Sequence, residues 1–210
     1  LDVVVVGAEK MPGELFAAFE DKFGVRPVEG YGATELSPLV SVNIPPSRSP
    51  AKFQPDRVEG SVGRPLPGVS ARVVTPDTDD ELDTDEDGML LISGPNVMKG
   101  YANREDLTKD TIHNGWYVTG DIAHIDQQGF IHITGRLSRF SKIGGEMVPH
   151  VRVEEELGQA FREGEDDEQV RLCVTAVPDA KKGERLIVLH LKTEKDITEM
   201  RKSLSDAGLP

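Results

Sequence analysis

The sequence predicts an α/β region followed by a small α+β unit, because its pattern changes twice along the chain. Residues 1–29 hold an apolar run, a segment with helical spacing and a second extended segment, which is the pattern of a β-α-β unit. Residues 61–134 instead show short strand patterns broken by Gly and Pro. Helix and strand patterns alternate again between residues 151 and 206.

The β-α-β unit is predicted from one helix between two extended segments. Leu1 to Val6 is typical of a fully buried strand in a parallel sheet, and the chain turns at residues 7–9. Pro12 suits the first helical turn, Gly24 ends the helix, and Val25 to Glu29 is the next extended segment. The apolar positions with helical spacing are Leu15, Phe16, Phe19 and Phe23.

The middle of the chain is expected to form a small barrel or sandwich. Its strand patterns are Val69 to Thr75, Met89 to Ser93 and Phe130 to Thr134. Asn103 is expected to cap a short helix that runs through Lys109. The polar, basic, glycine-containing segment 136–145 lacks a clear period and is interpreted as a linker.

The last part of the chain is predicted to be a compact α+β unit. The predicted elements are a helix at 151–162, strands at 170–177 and 186–192, and a helix at 197–206. We therefore predict two domains, at residues 1–136 and 137–210. Of the five histidines, His132 and His190 are interpreted as strand residues and the others as loop or surface residues.

Composition excludes several classes of function. The formal net charge of -13 argues against binding nucleic acid or an anionic lipid surface, since phosphates would be repelled on average. The longest apolar run is too short to span a bilayer. A single cysteine, Cys173, excludes a disulfide scaffold and a cysteine-based zinc site, and we expect a reducing, cytoplasmic location.

The acidic segment Asp83 to Gly88 matches the first half of a calcium-binding loop. The twelfth position of such a loop supplies a bidentate Glu, whereas Gly94 stands there and the flanks are typical of strands. We interpret the segment as a solvated hairpin turn.

Two short segments have the composition of nucleotide contacts. Tyr31-Gly-Ala-Thr-Glu35 follows a predicted strand and combines a ring, a hydroxyl and a carboxylate, so it could stack a base, bond a phosphate and hold Mg²⁺. An ordinary turn is the alternative. Asp121 ends Gly115-Trp-Tyr-Val-Thr-Gly-Asp121, where a carboxylate could accept two hydrogen bonds from a ribose diol or could cap a turn.

A third segment, 135–146, crowds cations and two adjacent glycines together. Arg136, Arg139 and Lys142 precede Gly144 and Gly145. Cations on a flexible backbone suit a phosphate-bearing ligand, and a solvated linker is the alternative.

Taken together, these segments resemble the adenylate-forming superfamily of acyl-CoA synthetases, luciferases and peptide-synthetase adenylation domains. The resemblance covers essentially the whole chain. Within the superfamily, the segments Leu36 to Asn43 and Arg136 to His150 are most similar to the ligase half of the bifunctional acyl-ACP synthetase/2-acylglycerophosphoethanolamine acyltransferase. The matching segments are Tyr31-Gly-Ala-Thr-Glu35, Gly94-Pro-Asn-Val-Met-Lys-Gly-Tyr101, Gly115-Trp-Tyr-Val-Thr-Gly-Asp121, Gly129-Phe-Ile-His-Ile-Thr-Gly-Arg136 and Gly144-Gly-Glu-Met-Val-Pro149.

The resemblance implies a role for each matching residue. Residues 1–136 would be the C-terminal part of a large AMP-binding domain, and 137–210 a small mobile domain. The implied catalytic residues are Thr34 on the α-phosphate, Glu35 on Mg²⁺ and Arg136 on the ribose and phosphate side. The implied contacts to ATP and the acceptor are Gly7, Ala8 and Glu9 around adenine, Tyr31 and Gly32 at the base, Asp121 on the ribose, and Lys142, Gly144 and Gly145 facing the acceptor thiol.

The implied reaction joins a fatty acid to a thiol at the expense of ATP. A carboxylate attacks the α-phosphate, and the phosphopantetheine thiol of acyl carrier protein or of CoA then displaces AMP. An acidic carrier protein would need a basic patch, for which Arg136, Arg139, Lys142 and Arg152 are candidates. The same cations could also bind the phosphates of CoA, so the pattern does not distinguish acyl carrier protein from CoA as the acceptor.

Two features of the superfamily are expected outside residues 1–210. They are the Ser/Thr/Gly-rich loop that grips the β- and γ-phosphates, before Leu1, and the lysine of the adenylation step, after Pro210. We therefore expect a longer parent protein to be active and this chain alone to have little adenylation activity. The alternatives are a non-catalytic module that binds a nucleotide or a carrier protein, and an acidic scaffold protein that would leave the ordered motifs unexplained.

Overall fold

The chain forms two compact units. The computed structural model describes residues 1–9, 11–49, 55–76, 78–161, 172–191 and 197–209. The units are Leu1–Thr134 and Gly135–Pro210, so the break lies two residues before the predicted domain boundary.

A four-stranded sheet opens the first unit. Its strands, in spatial order, are β1 (Val5–Val6), β2 (Val28–Gly32), β3 (Leu39–Val42) and β4 (Arg64–Pro65). Strands β1 and β2 are parallel and are connected through helix α1 (Gly13–Phe23), which confirms the β-α-β unit. Pro12 precedes the helix, and Gly24 ends it in the left-handed conformation at φ 69°, as expected of a C-terminal glycine.

The opening strand is shorter and more exposed than predicted. Leu1 is 78% exposed and Val5 51% exposed, so the interpretation of a fully buried strand is wrong. Strand β1 lies at the edge of its sheet. On α1, Leu15 and Phe23 are also about half exposed. An apolar run predicts burial only where a second layer covers it, and the described residues of this unit leave these side chains largely uncovered.

A five-stranded sheet completes the first unit. Its strands are β5 (Ser70–Val74), β6 (Gly88–Ser93), β7 (Ile112–His113), β8 (Trp116–Ile125) and β9 (Ile131–Arg136). The order is β5-β6-β8-β7, with β9 paired to β8, and the predicted short strands are confirmed. Leu36, just before β3, and Val40, on β3, share one core with Leu90 and Ile92 of β6, so the two sheets pack as a sandwich.

The predicted helix cap at Asn103 is wrong. Helix α2 (Glu105–Thr111) begins two residues later and has Arg104 at its N-cap, without a side-chain cap bond. Asn103 instead takes a left-handed conformation at φ 58°, which Asn tolerates better than most residues.

The second unit is an antiparallel sheet with helices. Its strands are β10 (Phe140–Ile143), β11 (Glu146–Pro149), β12 (Leu172–Asp179) and β13 (Gly183–His190), in the order β11-β10-β13-β12, and its helices are α3 (His150–Phe161) and α4 (Ile197–Asp206). Val153 and Leu157 of α3 share a core with Val174 of β12 and Met200 of α4. The α+β prediction is confirmed.

The segment interpreted as a linker is ordered instead. After a 3₁₀ turn at Leu137–Arg139, strand β10 pairs with β11 in a hairpin. Ser141 points inward with 1% of its surface exposed, and its hydroxyl lies 2.7 Å from Nε2 of His150. A buried serine does not register as an apolar position, and the strand period was therefore missed.

The remaining elements of the second unit lie close to their predicted bounds. The predicted ends at Arg162, Val170 and Lys192 lie outside the described residues. Within β12, Leu172 and Val174 are buried and Cys173 between them is exposed, as the alternating pattern predicts. No helix in the described part of the chain is long and apolar enough to cross a membrane.

Candidate functional site

A cavity of about 120 Å³ lies beyond the ends of the parallel strands β1 and β2. Ala8, Glu9 and Tyr31 all line it, so the structure brings these predicted adenine contacts together. Gly7 lies beside them, and a Cβ on it would come within 3.2 Å of the Gly30 carbonyl oxygen. The carboxyl ends of neighbouring parallel strands lie at the same edge of a sheet, and small ligands commonly bind at that edge in α/β folds.

Tyr31 is joined to Asp121, the predicted ribose contact. The Tyr31 hydroxyl donates a hydrogen bond to Asp121 Oδ2 at 2.5 Å. Burial and then the negative charge of Asp121 raise the pKa of Tyr31 above its ordinary value, so the hydroxyl keeps its proton and stays a donor. Asp121 is only 6% exposed, and its backbone N–H donates to Thr119 Oγ1 at 3.0 Å.

Gly32 allows the chain to turn sharply beside Tyr31. The pairing of β2 with β3 shifts register between Tyr31 and Gly32. A Cβ on Gly32 would lie 1.8 Å from the carbonyl oxygen of Pro38, closer than any real contact. The bend therefore requires glycine, and it carries the chain into the 3₁₀ turn at Thr34–Leu36.

Thr34 and Glu35 lie on this 3₁₀ turn. Thr34 is exposed, and Glu35 is half-buried with its Oε1 accepting a 2.9 Å hydrogen bond from the hydroxyl of Tyr101. Sequence reasoning assigned no role to Tyr101, although it ends one of the matching segments. The two residues are 66 positions apart in the sequence, so no local pattern predicts the contact.

The other predicted site residues lie after Thr134, in the second unit, which begins within the last two residues of β9. Arg136 is the exposed last residue of β9, and Lys142 is exposed on β10, where its backbone N–H donates to Glu184 Oε2 at 2.6 Å. Gly144 and Gly145 form the tip of the β10–β11 hairpin with φ of 62° and 98°, conformations that favour glycine. All four residues thus lie in the second unit, Gly135–Pro210.

Arg139 and Arg152, considered for a carrier-protein patch, donate hydrogen bonds within the second unit. Arg139 forms an ion pair with Glu154 at 2.5 Å and donates to the Val174 carbonyl at 3.3 Å. Arg152 donates to the Ala207 carbonyl at 2.8 Å. The guanidinium of Arg139 thus connects the 3₁₀ turn before β10 to α3 and β12.

The carboxylates of the described residues do not gather into a dedicated metal site. No group of three or more His, Cys, Asp or Glu side chains converges there. Asp83 and Asp85, in the segment like a calcium loop, are exposed, and Asp85 is left-handed at φ 67°. Mg²⁺ commonly takes one or two carboxylates and completes its shell with phosphate oxygens and water, so a lone Glu35 fits that ion.

Comparison with known proteins identifies relatives over most of the chain. Residues 1–102 match the AMP-binding enzyme family. A long-chain-fatty-acid–CoA ligase from Escherichia coli is 35% identical over 172 residues, which is 82% of this chain and 28% of the relative. A long-chain-fatty-acid–CoA ligase from Bacillus subtilis is 32% identical over 197 residues, covering 92% of this chain and 33% of the relative. The chain thus spans about a third or less of these relatives.

Solved structures are similar over almost the full chain. The ATP-bound crystal structure of MatB from Rhodopseudomonas palustris is 32% identical with a TM-score of 0.74, covering 99% of this chain and 39% of that one. O-succinylbenzoate coenzyme A synthetase (MenE) from Bacillus subtilis, in complex with AMP, is 25% identical with a TM-score of 0.70, covering 99% and 40%. On these sequence and structural similarities, the chain belongs to the adenylate-forming superfamily of AMP-binding enzymes that includes the acyl-CoA synthetases.

Proposed function

We propose that the natural protein containing this chain uses ATP to activate a fatty acid and transfers the acyl group to a pantetheine thiol. The observation that carries the proposal is the bond between Tyr31 and Asp121, which joins an aromatic ring at the cavity of Ala8 and Glu9 to a buried carboxylate. The fatty-acid ligases among the relatives support the substrate class.

The cavity edge would hold the nucleoside of ATP. Gly7, Ala8 and Glu9 would surround adenine, and the Tyr31 ring would stack on it, with Gly32 giving the close turn. Asp121 would accept hydrogen bonds from the ribose hydroxyls. A carboxylate offers about four lone-pair positions, so the bond from Tyr31 leaves acceptor capacity for the diol.

Three residues would contact the phosphates of ATP or their metal ion. The Thr34 hydroxyl, which is exposed on its turn, would donate to the α-phosphate, and Arg136 would contact the ribose and phosphate side. Glu35 would hold Mg²⁺ by its carboxylate. The bound ion would supply positive charge that offsets the charge developing on the phosphates.

The reaction would run in two displacements. A carboxylate oxygen of the fatty acid would bond to the α-phosphorus while the bond to the pyrophosphate oxygen breaks, giving acyl-adenylate and pyrophosphate. The thiol, losing its proton, would then attack the acyl carbon, and the bond to AMP would break. Asp121 and Tyr31 would orient AMP in both steps, and fixed orientation of this kind contributes strongly to such rates.

The acceptor would approach the loop that carries Lys142, Gly144 and Gly145. The exposed glycine tip lets a narrow pantetheine arm pass close to the backbone. Residues 137–210 would act as a small mobile domain that turns between the two steps, with 1–136 as the end of the larger domain. CoA is supported by the names of the relatives. Acyl carrier protein is supported by the likeness of Leu36 to Asn43 and Arg136 to His150 to an acyl-ACP synthetase.

Acyl-dependent pyrophosphate release tests the proposal. We expect the natural protein to release pyrophosphate only with fatty acid, ATP and Mg²⁺, and to form thioester with CoA or with holo acyl carrier protein, supplied separately. The chain 1–210 is the comparison, and we expect little release from it. Glu35→Gln and Asp121→Asn should each abolish most activity. No pyrophosphate from the natural protein with any fatty acid, together with retained AMP binding, would instead support a non-catalytic nucleotide-binding module.

A further inference from the structure

We propose that Tyr101 is a positioning residue that sets the carboxylate of Glu35 for its metal ion. The proposal rests on the function proposed above, and it adds a residue to which neither the motifs nor the comparisons assign a task. Tyr101 lies on the segment between β6 and α2, whereas Glu35 lies on the turn between β2 and β3.

The direct contact is a single well-formed hydrogen bond. The Tyr101 hydroxyl donates to Glu35 Oε1 at 2.9 Å, in partly buried surroundings. The bond holds one carboxylate oxygen and so limits rotation of the side chain about its last torsion, which is otherwise broad. The second oxygen, Oε2, is then presented in a defined direction to a metal ion.

The same segment also fixes the backbone of the turn. The Met98 N–H donates to the Glu35 carbonyl at 2.8 Å, and the Asn96 side-chain amide donates to the Leu36 carbonyl at 3.0 Å. Residues 96–101 therefore hold both the main chain and the side chain of Glu35. Such double anchoring is what a rigid ligand position requires, since loosely held ligands bind metal weakly.

Tyr101 is itself held in place. Its backbone N–H donates to Thr108 Oγ1 at 2.9 Å, and the Thr108 hydroxyl donates to the Arg104 carbonyl at 3.0 Å. A Cβ on Gly100, which has a φ of 145°, would meet Thr108 Cγ2 at 2.7 Å. Helix α2 therefore approaches the chain closely just before Tyr101 and fixes the backbone that carries its side chain.

The Tyr101 hydroxyl remains a donor at neutral pH. Burial and the hydrogen bond to Glu35 raise the pKa of Tyr101 above its ordinary value, so the proton stays on the phenol. Tyr117 lies behind it with 6% of its surface exposed, and burial followed by the charge of Glu35 raises the pKa of Tyr117 as well.

Metal binding in Tyr101→Phe tests the proposal directly. Mn²⁺ affinity is measured by electron paramagnetic resonance, in the natural protein with a non-hydrolysable ATP analogue. We expect Mn²⁺ to bind about 10- to 100-fold more weakly, the usual loss when the partner of a metal ligand is removed. Binding of the analogue in EDTA should not change. In turnover, the Mg²⁺ requirement should rise while kcat at saturating Mg²⁺ stays near the wild-type value.

Thr111→Val is the matched control. The Thr111 hydroxyl donates to the Leu107 carbonyl at 2.8 Å within helix α2. The proposal gives Thr111 no part in positioning Glu35. We expect its Mn²⁺ affinity to equal that of the wild type. Circular dichroism and urea unfolding of both variants separate a folding defect from a metal defect.

Two outcomes overturn the proposal in distinguishable ways. If Glu35→Gln loses Mn²⁺ while Tyr101→Phe binds it like the wild type, Tyr101 does not position Glu35, and the proposed function stands. If Glu35→Gln also binds Mn²⁺ normally, the metal role of Glu35 is itself wrong. Should Tyr101→Phe fold poorly, the double variant with Glu35→Gln decides, because the proposal requires it to bind Mn²⁺ no worse than Glu35→Gln alone.

Discussion

The Tyr31 hydroxyl donates a hydrogen bond to Asp121, 90 positions further along the chain. Tyr31 lies on β2 of the first sheet and Asp121 on β8 of the second, so the bond connects the two sheets of the sandwich. In the proposed function these residues contact adjoining parts of one nucleoside. The bond therefore coordinates the position of the base with that of the ribose.

Tyr31→Phe separates the ring from its hydroxyl. We expect the free energy of unfolding to fall by about 1–3 kcal/mol, because a buried carboxylate loses a charge-assisted donor. Nucleotide affinity should fall only slightly, since the ring remains. Urea unfolding and calorimetric titration with AMP measure the two effects. Tyr31→Ala is the comparison, and equal AMP affinity in both variants would contradict stacking by the ring.

Gly32→Ala tests the close approach beside Tyr31. A Cβ there would lie 1.8 Å from the Pro38 carbonyl oxygen, so the backbone must shift. We expect the unfolding free energy to fall by about 2–3 kcal/mol, near the upper range for overpacking. Gly13→Ala is the matched control, because a Cβ at that helical position meets nothing within 4 Å. We expect it to be neutral or stabilising by about 0.5–1 kcal/mol.

Local pattern predicted those elements whose burial follows from their own composition. Helix α4 has the predicted bounds, and Cys173 faces solvent between two buried neighbours as the alternation requires. The strand at Phe140–Ile143 was missed because its inward residue, Ser141, is buried against the distant His150. Burial of a polar side chain depends on a partner, which composition does not reveal.

The candidate site was predictable to the extent that its residues lie in short contiguous motifs. Tyr31, Glu35 and Asp121 were identified in this way, and the bond between the first and last is a contact that no motif specifies. The contact of Tyr101 with Glu35 was missed, since the two residues lie on different segments of the chain. Exposure of Val5 was missed for a related reason: an apolar run does not show what packs across it.

Glu154→Ala should weaken the second unit. The Glu154 carboxylate accepts hydrogen bonds from Arg139 Nη2 at 2.5 Å and from the Val174 N–H at 2.7 Å. Removing it leaves both donors without this partner, and we expect a loss of about 1–3 kcal/mol in unfolding free energy by urea titration. Glu155→Ala, at an exposed position one residue further along α3, should change stability by less than about 0.5 kcal/mol. Equal losses in both variants would show that the network contributes nothing.

His150 should make the second unit sensitive to mild acid. It is 4% exposed, and its Nε2 lies 2.7 Å from the Ser141 hydroxyl. Burial and then the positive charge of Arg139 lower the pKa of His150 below its ordinary value of 6.5, although Glu154 and Glu184 oppose the shift. The unfolded chain therefore takes up a proton at a higher pH than the folded one.

The sign of the pH effect follows from that difference in proton uptake. The neutral ring contributes its full stability above about pH 6.5, and the contribution is lost as the pH falls below that value. We expect His150→Gln to flatten the fall in unfolding free energy over this range, whatever its effect at pH 8. His113→Gln, at an exposed position on β7, should keep the wild-type slope. Urea titrations at several pH values measure the slopes, and a slope unchanged in His150→Gln would assign the acid sensitivity to other groups.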